Sequence, residues 1–290
     1  MRVAFGFVIV LAATCLGCWS FGRTASSNSA AAGPTPPKDM NQASSQSGDF
    51  VKHLPQGFQM PTDDAGKLLL REYGAVFLTK ATPPMKVVFK DQADVLAFQK
   101  TLETSSQTIG GSRVELQKLA MDALNDAIAE AKKSGLTIGP RGSDSSRRDY
   151  DATVGLWASR VNPGFVKWVG AGRVSQSEAS RIKALTPYEQ VPEILKLEQQ
   201  QIWFSTDQSK SIIYSVAPPG TSQHISMLAL DVKEFDNANV RAILARHGWF
   251  QTVSSDLPHF TYLGITEAEL PGLGLKKVEN SGRSFWVPDM

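Results

Sequence analysis

The chain has 290 residues, 42% of them hydrophobic and 20% charged, which is enough apolar mass for one large domain or two modest ones. Its 30 basic and 28 acidic side chains leave a formal net charge of +2. So even a balance, with no long run of like charge, gives no electrostatic ground for a nucleic-acid partner.

Met1-Arg2 precede VAFGFVIVLAATCLGC, a basic residue followed by about 14 apolar ones, in the order of an export leader. The run is short of the roughly 20 residues that span a bilayer. Residues 1–22 therefore read as a signal peptide or lipoprotein leader, which places the mature chain in the periplasm or cell envelope. Leu16-Gly17-Cys18 resembles a lipobox and makes Cys18 a lipidation candidate; ordinary cleavage and release is the alternative, since Cys15 stands where that pattern has Leu or Val. On this reading a membrane is met only through the leader or a lipid anchor. Both cysteines lie in the leader, so the mature chain keeps no pair for a disulfide.

Residues 23–48 include TASSNSAAAGPTPPKDMNQASSQS, almost free of large apolar side chains, and read as a disordered linker. Residues 49–111 read as an accessory region or the first layer of the main domain. There, GAVFLT and MKVVFK suggest strands and ADVLAFQKTL an amphipathic helix, before Gly110-Gly111 breaks the pattern. Residues 112–290 read as the functional domain. VELQKLAMDALNDAIAEAKKSG predicts a long helix with Leu116, Leu119, Ala120, Leu124, Ala127, Ile128 and Ala131 on one face. LTIGPRG predicts a short strand entering a turn. The segment from Arg147 to about Gln200 predicts helices, broken at Asn162-Pro163-Gly164 and near Pro187 and Pro192. IIYSVAP, MLALDV and FTYLG predict strands, with a helix around Asn239–His247.

The chemistry concentrates in two of these strands. His224 stands seven residues before Asp231, and Asp231 lies inside the apolar run MLALDV, where an unpaired carboxylate is costly to bury. A metal or a cation relieves that cost. Asp256 stands three residues before His259, at the mouth of an aromatic strand. Two His and one Asp, with a carboxylate left over, supply the three ligands, open position and non-ligating base of a zinc hydrolase. Spacing alone also allows one satisfied core histidine and one surface histidine. His247, beside Gly248 at a helix end, reads as a C-terminal cap, and His53 as exposed. Trp157, Trp168, Trp203 and Trp249 read as core, with Trp249 of interest because it falls between the two metal segments.

Ser222-x-His224-x-x-x-x-Ala229-x-Asp231 resembles the SxHxxGxAxD signature of the zinc D-Ala-D-Ala carboxypeptidases. These are the VanY-like enzymes of the lysostaphin, D-Ala-D-Ala metallopeptidase and hedgehog superfamily. Asp256-x-x-His259-Phe260-x-Tyr262-x-Gly264 resembles their second signature, Glu-Pro-Trp-His-Phe-x-Tyr-x-Gly, and Leu116 through Arg141 resembles the preceding helix, strand and Arg-bearing turn. The resemblance covers roughly residues 112–265. It implies Zn2+ held by His224, Asp231 and His259, Asp256 as general base, and Arg141 against the charge of the tetrahedral intermediate or a substrate carboxylate, with Arg147 or Arg148 as alternatives. Ser222 would steady the ligand shell by hydrogen bonding. Three positions depart from the pattern: Met227 replaces a Gly, Asp256 replaces a Glu, and Gly139-Pro140-Arg141-Gly142-Ser143 matches the turn in part.

The expected fold is α+β, with a small, mainly antiparallel sheet carrying the zinc site and helices packed on its outer side. The resemblance implies zinc-dependent hydrolysis of a peptide bond in peptidoglycan stem peptides, with removal of a terminal D-alanine first among the choices. The rivals are a zinc-binding but catalytically weak wall-binding or partner-binding protein, and an endopeptidase that cuts cross-links.

Overall fold

The computed structural model describes residues 49–290. The leader of residues 1–22, with Cys18, and the linker of residues 23–48 lie outside the described residues.

A 3-10 turn (Asp49–His53) leads into helix α1 (Asp64–Tyr73), whose first turn is closed by the Asp63 carboxylate accepting from the Gly66 amide at 2.8 Å. The chain then tightens into a second 3-10 turn (Gly74–Leu78) that is buried throughout. GAVFLT is thus not a strand: it prolongs α1 with shorter-range hydrogen bonds. MKVVFK is not a sheet strand either. Val87 and Phe89 are buried on alternate positions, as in a strand, but the backbone finds only a single bridge to Gln59 and a bond from the Phe89 amide to the Gly220 carbonyl. No second strand lies alongside to complete a ladder.

Helix α2 (Gln92–Gln99) is capped by Asp91. Strands β1 (Thr104–Ile109) and β2 (Ser112–Gln117) form a hairpin whose turn is Gly110-Gly111, both at positive φ. Helix α3 (Lys118–Lys133) follows directly. The predicted helix therefore starts late: Val114 to Gln117 belong to β2, where pairing with β1 overrides their helical periodicity. Leu116 is buried in the strand, and Leu119, placed on the apolar face by the sequence, is 52% exposed.

Helix α4 (Tyr150–Gly170) runs through Asn162-Pro163-Gly164 without a break. Gly164 is there for proximity: a Cβ on it would stand 2.3 Å from the Phe204 ring. Helix α5 (Gln176–Lys183) and helix α6 (Pro187–Glu198) complete the helical stretch. Pro187 opens α6 behind a capping box of Thr186 and Glu189, and Pro192 sits within it. IIYSVAP is a 3-10 turn (Ile212–Tyr214) followed by irregular chain.

The central sheet has three antiparallel strands in the order β3 (Ala229–Asp231), β5 (His259–Tyr262), β4 (Trp249–Phe250), with helix α7 (Ala238–Arg246) between β3 and β4 in sequence. LTIGPRG contributes one bridge, Pro140 to Val232, with flanking bonds from the Arg141 amide to the Asp231 carbonyl and from the Lys233 amide to the Gly139 carbonyl. It borders the sheet without forming a strand. A C-terminal hairpin, β6 (Leu275–Asn280) and β7 (Arg283–Pro288), closes the chain.

The fold is α+β, with helices against small antiparallel sheets. One core cluster runs from Phe50 through Leu69, Leu124, Trp157, Leu230, Trp249 and Phe260 to Trp286, so residues 49–111 share it. Trp249 is fully buried in that core, its ring 5.4 Å from Tyr262. Among the described residues no helix is long and apolar enough to cross a membrane.

Candidate metal centre

Strand register brings the first two ligands together. Asp231 on β3 lies directly opposite His259 on β5, so both side chains leave the same face of the sheet. Leu230 and Phe260, one position away in each strand, point to the other face and into the core. His224 arrives from a 3-10 turn (Gln223–Ser226) that immediately precedes β3. Its Nε2 and the Nδ1 of His259 each stand 3.3 Å from Asp231 Oδ1. All three ligand atoms fall within 4.8 Å of one another.

Hydrogen bonding on the far side of each ring fixes which nitrogen faces the cluster. His224 Nδ1 is 2.7 Å from the Ser146 carbonyl, which can only accept, so Nδ1 carries the proton and Nε2 presents a lone pair. For His259 the argument takes one more step. Gln223 Nε2 donates to the Tyr73 carbonyl at 2.9 Å, which sets the orientation of the amide and leaves Gln223 Oε1 as an acceptor. His259 Nε2 donates to that Oε1 at 2.9 Å, and Nδ1 is left with its lone pair toward Asp231. Thr261 Oγ1 donates to the same Gln223 oxygen and is itself 2.6 Å from Thr252 Oγ1.

In their neutral forms the two imidazoles thus turn lone pairs toward the same point as the Asp231 carboxylate oxygen. Asp231 Oδ1 is buried and has no hydrogen-bond partner among the described residues. An orphaned carboxylate oxygen among acceptors is expensive without a cation. Ligands held about 2.0–2.1 Å from a tetrahedral centre stand about 3.3–3.4 Å apart, so the 3.3 Å separations fit zinc. Charge agrees with geometry. Burial holds the His224 imidazole below its ordinary pKa against the pull of Asp231, favouring the neutral ring. Burial pushes the Asp231 carboxyl up; charge and hydrogen bonding from His224 and His259 pull it lower, an effect that needs a positive charge beside it and that a cation supplies when both rings are neutral.

The turn from Arg141 to Arg148 wraps this cluster. The Asp231 amide donates to the Ser145 carbonyl at 2.9 Å, and the Arg148 amide to the His224 carbonyl at 3.2 Å. Arg141 itself is exposed and is not among the residues that line the cleft beside the histidines. Its backbone amide, bonded to the Asp231 carbonyl, is what the site uses, because the turn runs along the edge of β3. Arg148 lines the cleft instead, and Arg147 is drawn away by Glu115 at 3.3 Å.

That cleft, of about 240 Å³, is lined by His224, His259, Asp256, Arg148 and Ser222 among others. Asp256 is exposed there and is not among the clustered ligand atoms. Ser222 Oγ accepts from Arg148 Nη1 at 3.4 Å, so it steadies the arginine and makes no hydrogen bond to a ligand. Met227 lies outside the lining and takes a left-handed conformation, φ 55° and ψ 34°, that ends the Gln223–Ser226 turn. A glycine suits that backbone best, so the departure at 227 acts on the turn and on core packing. His247 ends α7 with its Nε2 2.8 Å from Glu130 Oε2, and His53 is exposed. Gln223, Thr252, Thr261 and Tyr73 are the residues that sequence reasoning missed. Only Gln223 carried a sign of its role, a polar residue next to a candidate ligand.

No family model matches the chain, and no curated protein does. Two solved structures are similar to part of it. One is a mutant of the vancomycin-resistance D,D-pentapeptidase VanY from a VanB-type cassette, in complex with Zn(II). It has 18% identity and a TM-score of 0.32, over 57% of this chain and 80% of that one. The other is the LD-carboxypeptidase LdcB, described in terms of peptidoglycan recognition. It has 16% identity and a TM-score of 0.31, over 55% of this chain and 64% of that one. Likeness at this level assigns neither fold nor activity to the chain.

Proposed function

We propose that the protein is a zinc-dependent peptidase of peptidoglycan stem peptides, acting as a D-Ala-D-Ala carboxypeptidase in the cell envelope. The observation that carries the metal reading is the unpartnered Asp231 Oδ1 facing two histidine lone pairs whose tautomers are fixed from behind. The substrate class rests on the resemblance of the Ser222–Asp231 and Asp256–Gly264 segments to the family signatures. Export rests on the order of residues in the leader.

His224, Asp231 and His259 would hold the ion. Zinc bound there supplies Lewis acidity to the scissile carbonyl and to water. Asp256 takes the proton of the attacking water and returns it to the leaving amine. Arg148, across the same cleft, balances charge on the carbonyl oxygen.

The test is metal content and hydrolysis measured on one sample of the mature chain, with product masses from digested peptidoglycan. One zinc per chain and release of single D-alanine support the reading. Cross-link cleavage without D-alanine release would make it an endopeptidase. The second reading, a zinc-holding protein of weak activity, is favoured by the Asp256 carboxylate, an exposed group with no hydrogen bond to position it. Stoichiometric zinc without hydrolysis would establish it, and absence of stoichiometric zinc would overturn both.

A further inference from the structure

We propose that Arg160, clamped by Ser215, forms a second anion subsite in the metal cleft and takes an acidic side chain of the peptide substrate. The proposal rests on reading the cleft as a peptidase site and deepens it by naming a substrate feature.

Helix α4 sets Leu156 and Arg160 one turn apart on one face, and both line the cleft. Arg160 Nε donates to Ser215 Oγ at 3.1 Å, and Nη1 donates to Ser159 Oγ at 2.8 Å. Ser215 Oγ is itself held: it accepts from the Thr206 amide at 3.2 Å and lies 2.7 Å from Thr206 Oγ1. The guanidinium is therefore fixed along one edge while its Nη2 keeps its donors. All these acceptors are neutral hydroxyls, and among the described residues no carboxylate forms an ion pair with Arg160.

Arg148 is in the same condition, with Ser222 Oγ and the Asp144 carbonyl as its acceptors at 3.4 and 3.5 Å. Elsewhere among the described residues Arg71, Arg113, Arg147, Arg181, Arg246 and Arg283 pair with carboxylates, and Arg141, Arg173 and Arg241 do not; what sets Arg148 and Arg160 apart is that both line one concave site. Among the described residues the cleft thus gathers two guanidiniums without salt-bridge partners and lines them with one carboxylate, Asp256. Such a surplus in a concave site attracts anions, and a guanidinium recognises a carboxylate through paired donors. Arg148, beside Ser222 and His224, serves the end of the substrate near the metal. Arg160, on α4, lines the same cleft with Leu156, Ile213 and Val216, apolar surface suited to the methylene stem of an acidic side chain. The ligand it fits is a short peptide with an acidic residue close to the cleaved bond.

The test uses the zinc-loaded protein and two probes, N-acetylated tripeptides ending in D-Ala-D-Ala that begin with Glu or with Gln. Wild type should favour the Glu peptide in kcat/KM by about tenfold or more. R160Q should remove that preference by slowing the Glu peptide alone, with zinc content and melting temperature unchanged. R160K, which keeps the charge, should restore part of it. Equal rates for the two peptides in wild type would overturn the subsite, as would an equal loss on both peptides in R160Q and in R160K. If neither peptide is cleaved, the peptidase reading fails, and calorimetric binding of the same probes decides the subsite separately. Tighter binding of the Glu peptide that R160Q abolishes supports it; equal binding overturns it.

Discussion

The ligand cluster and the wall of the cleft are built to different tolerances. Each ligand is held from at least two sides: His224 through its ring nitrogen and its carbonyl, His259 through Gln223 and the β3–β5 ladder, Asp231 through its own amide and carbonyl. The groups assigned to substrate are held by their backbones, with the Asp256 amide and carbonyl bonded to Val253 and His259 and the Arg148 amide to His224, but their side chains are held loosely. Arg148 has only contacts of 3.4–3.5 Å, and the Asp256 carboxylate is exposed. If the triad holds zinc as proposed, the fold preorganises metal binding, whereas alignment of the base and the arginine is left for the substrate to complete.

The hardest way to break the comparison is at a ligand. His224→Ala or His259→Ala should abolish zinc binding and hydrolysis together and lower the melting temperature, because metal-binding energy is folding energy here. Metal analysis with thermal melts checks it; full zinc occupancy in either variant would remove that residue from the site. Asp256→Asn attacks the loose side alone. It should keep zinc and lose about 10²–10⁴-fold in hydrolysis, the usual worth of a general base. Loss of zinc would make Asp256 a ligand.

Gln223→Leu sharpens the comparison, since it leaves the ligands in place and removes what orients one of them. Metal affinity should fall about 10–100-fold, as for other groups that fix a ligating histidine. Nitrogen NMR of the metal-free protein should show the proton of His259 no longer confined to Nε2. An unaltered tautomer would show that the β5 backbone suffices.

The smallest effect is in pH. Burial keeps the His224 pKa below its ordinary value in the folded chain, so the unfolded chain binds more protons as pH falls. Stability of the metal-free protein should therefore decline as pH drops below about 6.5 toward the folded value, and be flat above it. A melting temperature independent of pH between 5 and 7 in a protein with His224 intact would refute this.

The clustering of His224, Asp231 and His259 was legible because metal chemistry uses few residue types, and an Asp in MLALDV has little other reason to be there. Pairing of the two segments followed once both were read as strands. What the sequence hid depends on distant neighbours. GAVFLT and Val114–Gln117 have periodicities that fit more than one element, and packing against α1 and β1 decided between them. The choice between Arg141 and Arg148 turned on how the loop wraps β3, which spacing does not encode. Pro163 reads as a helix breaker, yet α4 continues through it with Gly164 against Phe204.

The bond from Gln223 to the Tyr73 carbonyl spans 150 positions of sequence. Closing so long a loop is entropically slow and yields its reward late, so the last ligand becomes oriented only when α1 has docked. If His224, Asp231 and His259 take zinc as proposed, metal uptake by refolding protein should lag the local hairpins and helices and report the docking of α1 against the turn that carries Gln223.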